Sequence, residues 1–140
     1  MHAMMEIVLQ ILLLNDEGAV LMLQRPSGQW QFVGGRVNDD ESWQQALRRE
    51  IEEEVGVSSF EIDSIMALDN WVWEGVPQFG VFLAGRLGDQ EIRLSEDHCA
   101  FRWLESAAEL ETSDFFHPSL QVLLARALRG ELHYQPLDNP

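Results

Sequence analysis

Apolar and polar positions along the chain cluster in runs that predict strands interleaved with two principal helices. Residues 7–14 form a β-rich apolar run, Asn15-Asp16-Glu17-Gly18 supplies turn residues, and residues 19–24 form a second apolar run. Together they read as a hairpin. Arg25-Pro26-Ser27-Gly28 then breaks the strand, and residues 30–33 make a short further one. Over residues 42–55, Trp43, Ala46, Leu47 and Ile51 recur at helical spacing, and Gly56 suits a left-handed end. Residues 60–73 and 78–87 each hold a strand, with Gly75, Pro77 and Gly88 marking turns, and residues 91–94 and 100–104 add two short ones. Residues 106–110 make a helical turn. Residues 118–129 close the chain as an amphipathic helix, with Leu120, Leu123, Leu124, Ala127 and Leu128 inward, Pro118 in its first turn and Gly130 at its end. This succession implies an α+β class, an α/β sandwich with a mixed sheet between helices. The strand order is left open by pattern alone.

At 140 residues and 46% hydrophobic, the chain is the size of one domain with a substantial core, and no linker, repeat or low-complexity stretch divides residues 1–140. The apolar run near the start is too short to span a membrane and lacks a basic leader. A single cysteine, Cys99, has no internal partner, which points to a reducing cytoplasm and to a small buried hydrophobe in a strand. The formal net charge of −15 speaks against a nucleic-acid partner, because the nine basic residues, all Arg, form no basic stripe. Small anionic metabolites delivered with Mg²⁺ remain compatible with it.

The helix of residues 42–55 concentrates that charge. Asp39, Asp40 and Glu41 precede it, and Glu50, Glu53 and Glu54 stand at i, i+3 and i+4 on one face. Like charges so close repel unless a cation neutralises them, and hard carboxylate oxygens suit Mg²⁺ or Mn²⁺. A solvated acidic face is the alternative for any Glu-rich helix. Ahead of the helix, Gly34 and Gly35 read as the turn that delivers a strand to it, where glycine permits close approach of the backbone.

The wider spacing decides between these readings. Gly35, five residues, Glu41, seven residues, then Arg49-Glu50-Ile51-Glu52-Glu53-Glu54-Val55-Gly56-Val57 reproduces the Nudix box without a mismatch. The chain therefore resembles the Nudix (MutT-like) hydrolases. The resemblance implies a mixed sheet between helices and Mg²⁺-dependent hydrolysis of a diphosphate linkage by water attack on phosphorus. It assigns Gly35, through its carbonyl, and Glu50 and Glu54 to the metal, Glu53 to the metal or to activation of water, and Arg49 with Glu41 to a supporting ion pair. Family members commonly carry proline before the two glycines, where this chain has Val33.

A partial resemblance to the dihydroneopterin triphosphate diphosphatase branch rests on residues 20–25, Trp30-Gln31, Val33, Asp97-His98 and Phe101-Arg102-Trp103-Leu104. It implies that Asp97, with Glu96 as the neighbouring option, is a late carboxylate reaching the metal. The expected substrate is a nucleoside triphosphate or a related diphosphate-linked metabolite. The alternatives are dihydroneopterin triphosphate hydrolysis, a non-hydrolytic nucleotide sensor, or an isomerase using Cys99. Arg25 is a candidate for holding phosphate, against a plain surface cation. Trp30, Phe79, Trp71, Trp73 and Phe82 are candidates for stacking on a flat ring, against core packing. His98 and His117 are either acid–base groups or packed histidines. A homodimer is compatible with the tryptophan content.

Overall fold

The computed structural model describes residues 1–88, 90–98 and 100–137, so Cys99, expected in a strand, lies outside the described residues. Its elements are β1 (Glu6–Leu14), β2 (Val20–Gln24), β3 (Trp30–Gln31), β4 (Val33–Arg36), α1 (Trp43–Val55), β5 (Glu61–Trp73), β6 (Val76–Arg86), β7 (Ala100–Leu104) and α2 (Pro118–Leu128), with short 3-10 turns at Ala107–Glu109 and Thr112–Asp114. They form one mixed sheet ordered β3-β2-β1-β6-β5, in which β4 also pairs with β1 and β7 with β2. The long parallel pair β1–β6 is central, running from Glu6↔Gln78 to Leu14↔Arg86, and the remaining pairs are antiparallel.

Strand β1 is almost continuously apolar because both of its faces are covered. Its even residues Leu12 and Leu14 join Met22, Phe32, Met66 and Phe82 under Leu120, Leu123, Leu124 and Ala127 of α2. Its odd residues Leu9, Ile11 and Leu13 join Leu21, Leu23 and Val33 under Ala46, Leu47, Ile51 and Val55 of α1. The period-2 alternation of the strand thus distributes two helices to opposite sides of the sheet. Trp43, which shares the helical spacing of Ala46, Leu47 and Ile51, is 43% exposed at the first residue of α1. Among the described residues no helix is long and apolar enough to cross a membrane.

Helix α1 starts at a capping box. The Ser42 hydroxyl accepts from the Gln45 N–H at 3.2 Å, and the Gln45 side chain accepts from the Ser42 N–H at 2.9 Å. The helix stops at Gly56, whose φ of 70° is left-handed.

The structure corrects several local expectations. Gly34 and Gly35 are residues of β4, paired with Gln10 and Leu9 of β1, and do not form a turn. The 30–33 stretch is divided between β3 and β4 because its two ends pair with different partners, β2 and β1. Residues 91–94 are not a strand: the Arg93 and Ser95 N–H groups donate to the Val55 and Glu54 carbonyls, so this segment satisfies the end of α1 instead of a sheet edge. Pro77 lies within β6, opposite Val72, and the chain reverses at Glu74 (φ 50°) and Gly75 (φ 80°).

Candidate active site

The C-terminal half of α1 faces strand β4, and the two glycines set how closely they approach. A methyl group on Gly35 would sit 2.5 Å from Oε1 of Glu50, so that carboxylate rests directly on bare backbone. Gly34, at φ 147°, donates its N–H to Glu54 Oε2 at 3.0 Å. Arg49 braces the group. Its Nη2 and Nε donate to the two oxygens of Glu41 at 2.6 and 3.0 Å, its Nη1 to Glu50 at 2.8 Å and to Glu53 at 3.4 Å, and its Nη2 also to the Arg36 carbonyl at 3.0 Å. One planar guanidinium thus fixes the orientation of Glu41 and Glu50 together. These bonds to Glu41 raise the Arg49 pKa, and the same contact, helped by the Asn38 N–H, lowers that of Glu41.

The three glutamates differ in environment. Glu54 is 6% exposed. Burial first, and then the charge of Glu50, push its pKa up to about 9, although the Gly34 N–H pulls the other way. Glu53 keeps a side chain 60% exposed and is the carboxylate most open to water. Among the described residues no three His, Cys, Asp or Glu groups converge in metal-ligating geometry, since Glu50 leans to Arg49 and Glu54 to Gly34. The donor set nonetheless fits a hard divalent cation: carboxylate oxygens on adjacent turns, one of them buried beside the charge of Glu50 that a cation would neutralise, all facing one cleft.

That cleft, about 500 Å³, is lined by Glu50, Glu53, Glu54, Gly34, Gly35, Asp97 and His98, by Arg25, Gln31, Gln10 and Gln78, and by the aromatic rings of Trp71, Trp73 and Phe116. Arg25 donates to Gln31 Oε1 at 2.8 Å and lies 4.0 Å over the Phe116 ring, and burial lowers its pKa. Because Arg25 only donates, Gln31 must turn its oxygen to it and its Nε2 toward His98 Nε2, 3.2 Å away. His98 then carries its proton on Nδ1, facing Ser95 Oγ at 3.3 Å. Burial lowers the His98 pKa, consistent with this neutral tautomer, and places its ring 3.8 Å from Glu54. Of the two neighbouring acids, Asp97 lines the cleft and Glu96 does not.

Two expected ligand-binding aromatics stand elsewhere. Trp30 is 7% exposed in the core, with its carbonyl bonded to the Phe116 N–H and Arg102 over its ring at 5.8 Å. Phe79 lines an apolar groove on the opposite face of the sheet with Ile7, Trp43, Ile65 and Val81. Strand parity explains this: Trp71 pairs with Gln78, so Gln78 shares the face of Trp71 and Trp73 while Phe79 points away. The two-residue Glu74-Gly75 turn carries that register in the sequence. Phe82 is core beneath Trp71, at 6.4 Å between centroids, and His117 caps α2 by accepting from the Ser119 N–H. Gln10, Gln78 and Phe116 are cleft residues that the sequence did not point to, and Gln31, named there only within the Trp30-Gln31 resemblance, joins them.

Sheet, helices and carboxylate-lined cleft define an α/β/α sandwich. The chain belongs to the Nudix family: the family described as NUDIX domain matches residues 6–126. It is similar to an RNA pyrophosphohydrolase from Teredinibacter turnerae, 37% identical over 49% of this chain and 41% of that protein. It is also similar to a CTP pyrophosphohydrolase from Escherichia coli, 43% identical over 40% of this chain and 44% of that one. The matched region thus spans less than half the length of these curated relatives. The solved structure of the E. coli dihydroneopterin triphosphate pyrophosphohydrolase has the same fold, with TM-score 0.68 and 19% identity over 93% of this chain and 98% of that one.

Proposed function

We propose that this protein is a Mg²⁺- or Mn²⁺-dependent diphosphatase that hydrolyses a small nucleotide, or a similar metabolite with a flat head group and a phosphoric anhydride, by attack of water on phosphorus. One observation carries this reading: the braced carboxylates of α1 and the aromatic residues Trp71 and Trp73 of β5 line a single cleft. Glu50, Glu54 and the Gly35 backbone, with Asp97 of the same cleft lining, would hold the metal. Bound there, it supplies Lewis acidity and a water of lowered pKa. Glu53, the open carboxylate, takes the proton from the attacking water. Arg49, tied to Glu41, keeps Glu50 in place during that transfer. Arg25 reaches toward the phosphates, and Trp71, Trp73 and Phe116 flank the head group.

The net charge of −15 favours a small substrate over an RNA chain, although one relative bears an RNA pyrophosphohydrolase name. Dihydroneopterin triphosphate, which offers a flat ring and a triphosphate, is the second reading, motivated by the Asp97-His98 and Phe101-Arg102-Trp103-Leu104 runs. A sensor without turnover would have no use for the complete carboxylate set.

The test is a hydrolysis panel with Mg²⁺ covering nucleoside triphosphates, dihydroneopterin triphosphate, nucleotide sugars, dinucleoside polyphosphates and 5′-triphosphate RNA, with products identified. Release of monophosphate or pyrophosphate that falls about 10²- to 10⁴-fold in Glu53→Gln and Glu54→Gln supports the reading. An inactive native protein, or variants as active as the native one, refutes it.

A further inference from the structure

Among the described residues, Arg25 and Arg36 are arginines that line the cleft, and Arg36 meets Glu6 at 3.1 Å while no carboxylate pairs with Arg25. In a chain with 24 acidic side chains, that leaves a half-buried guanidinium whose charge is free for an anion entering the cleft. What holds Arg25 in place is not charge. Its backbone is closed into the turn between β2 and β3, the N–H donating to the Gln29 carbonyl and the carbonyl accepting from the Gly28 N–H, both at 2.8 Å. The side chain then meets two neutral supports, Gln31 Oε1 at 2.8 Å and the Phe116 ring at 4.0 Å. Each support is itself fixed. Phe116 donates its N–H at 2.9 Å to the carbonyl of Trp30, the residue before Gln31 in β3. Gln31 is 8% exposed, and the far end of its amide faces His98 Nε2 at 3.2 Å. A carboxylate in the place of Gln31 would hold the arginine but cancel its charge, whereas an amide and a ring hold it and leave the charge intact. An arginine already held loses less rotamer freedom when it grips an anion.

We propose that Gln31 is a positioning residue, which together with the Phe116 ring holds the Arg25 guanidinium extended in the cleft so that its remaining N–H donors grip phosphate oxygens. Gln31 thus acts on the ligand through Arg25. The inference rests on the diphosphatase reading for its class of ligand but does not need turnover.

The experiment is a double-mutant cycle of Arg25→Met and Gln31→Met, read by calorimetric titration with pyrophosphate in the presence of Mg²⁺. Gln31→Met keeps the length of the side chain and loses the acceptor. Each single variant is expected to raise the dissociation constant about tenfold, and Gln31→Met to change it less than about twofold in the Arg25→Met background. An effect of Gln31 exerted through His98, or through the packing of β3, would persist in that background. Phe116→Leu supplies a second cycle, expected to weaken binding about threefold or more alone and to add little to Arg25→Met. This second cycle carries the test if Gln31→Met does not fold. Gln31→Met binding within about twofold of native, effects that multiply in the double variant, or native binding of pyrophosphate weaker than about 1 mM overturns the proposal. A coupled cycle in a protein whose hydrolysis panel is blank supports the positioning of Arg25 and removes the diphosphatase reading alone. An active panel with an uncoupled cycle does the reverse.

Discussion

Replacing Gly35 by alanine separates the chemistry of the site from the stability of the strand that carries it. The added methyl would lie 2.5 Å from Glu50 Oε1 and 2.6 Å from its Cδ, where ordinary contact begins at 3.4 Å. The carboxylate must therefore retreat by about 1 Å, away from the position that Arg49 fixes, and misplacement on that scale costs roughly 10²-fold in rate. That corresponds to about 2.7 kcal/mol of transition-state stabilisation. The fold loses little, because the obstacle is the far end of a side chain and Gly35 is not among the residues of positive φ. A change within about 1 kcal/mol, or about 3 °C in Tm, is expected. Gly34→Ala is the contrasting case. Its methyl would lie 2.0 Å from the Leu9 carbonyl oxygen, which is backbone, and its φ of 147° is strained for any L side chain. Several kcal/mol and a Tm lower by roughly 10 °C or more are expected there. Steady-state kcat/KM on the best substrate of the panel, read beside calorimetric melting, distinguishes the two. Gly35→Ala within threefold of native activity, or as unstable as Gly34→Ala, would refute the geometry.

Arg49→Lys keeps the charge but loses the fork that holds both oxygens of Glu41, so kcat should fall about tenfold or more with Tm nearly unchanged; an equal kcat contradicts the bracing role. Glu54 has a folded pKa raised from 4.5 to about 9, so between those values the folded protein keeps a proton that the unfolded chain has released. Metal-free stability should thus be greatest below pH 4.5 as far as this group is concerned, and fall toward pH 9 with a slope of up to about 1.4 kcal/mol per pH unit. Thermal melts in chelator show this as a declining Tm that flattens in Glu54→Gln, and a native Tm independent of pH in that window counts against it. Trp73→Ala should raise KM about five- to 100-fold through lost stacking, while Phe79→Ala, on the far face, leaves KM within twofold; the reverse pattern would place the head group elsewhere.

Much of this architecture was legible because local signals agreed with one another. Ala46, Leu47 and Ile51 at helical spacing, closed by Gly56, marked α1 within a residue, and the fixed offsets of Gly35, Glu41, Arg49 and the glutamates marked its acidic face. Pairing is where the sequence was weaker. Gly34-Gly35 looks like a turn from composition alone, but its backbone is claimed by β1, and the side chains it lacks are what let Glu50 and Glu54 approach. Residues 91–94 have strand composition, yet the Arg93 N–H, like that of Ser95 just beyond, goes to the end of α1. Aromatic character alone points to Phe79, whereas strand parity puts Gln78 on the face of the cleft, because a single-residue difference in register moves a side chain to the other face. Gln10 is a related case: one polar residue inside an apolar run, whose place beside the cleft follows from the pairing of β1.

The division of β1 between two faces bears on how such a protein changes over time. Its odd residues underpin α1 and hence the carboxylates, while Val8 and Gln10, even residues, look into the cleft. Replacements at the even positions near the start of the strand, together with those at Trp71 and Trp73, alter what is admitted without touching the packing that aligns Glu50, Glu53 and Glu54. The lining of the cleft and the arrangement of its carboxylates are thereby free to drift apart, and a laboratory library confined to positions 8, 10, 71, 73 and 78 would vary the one while leaving the other in place.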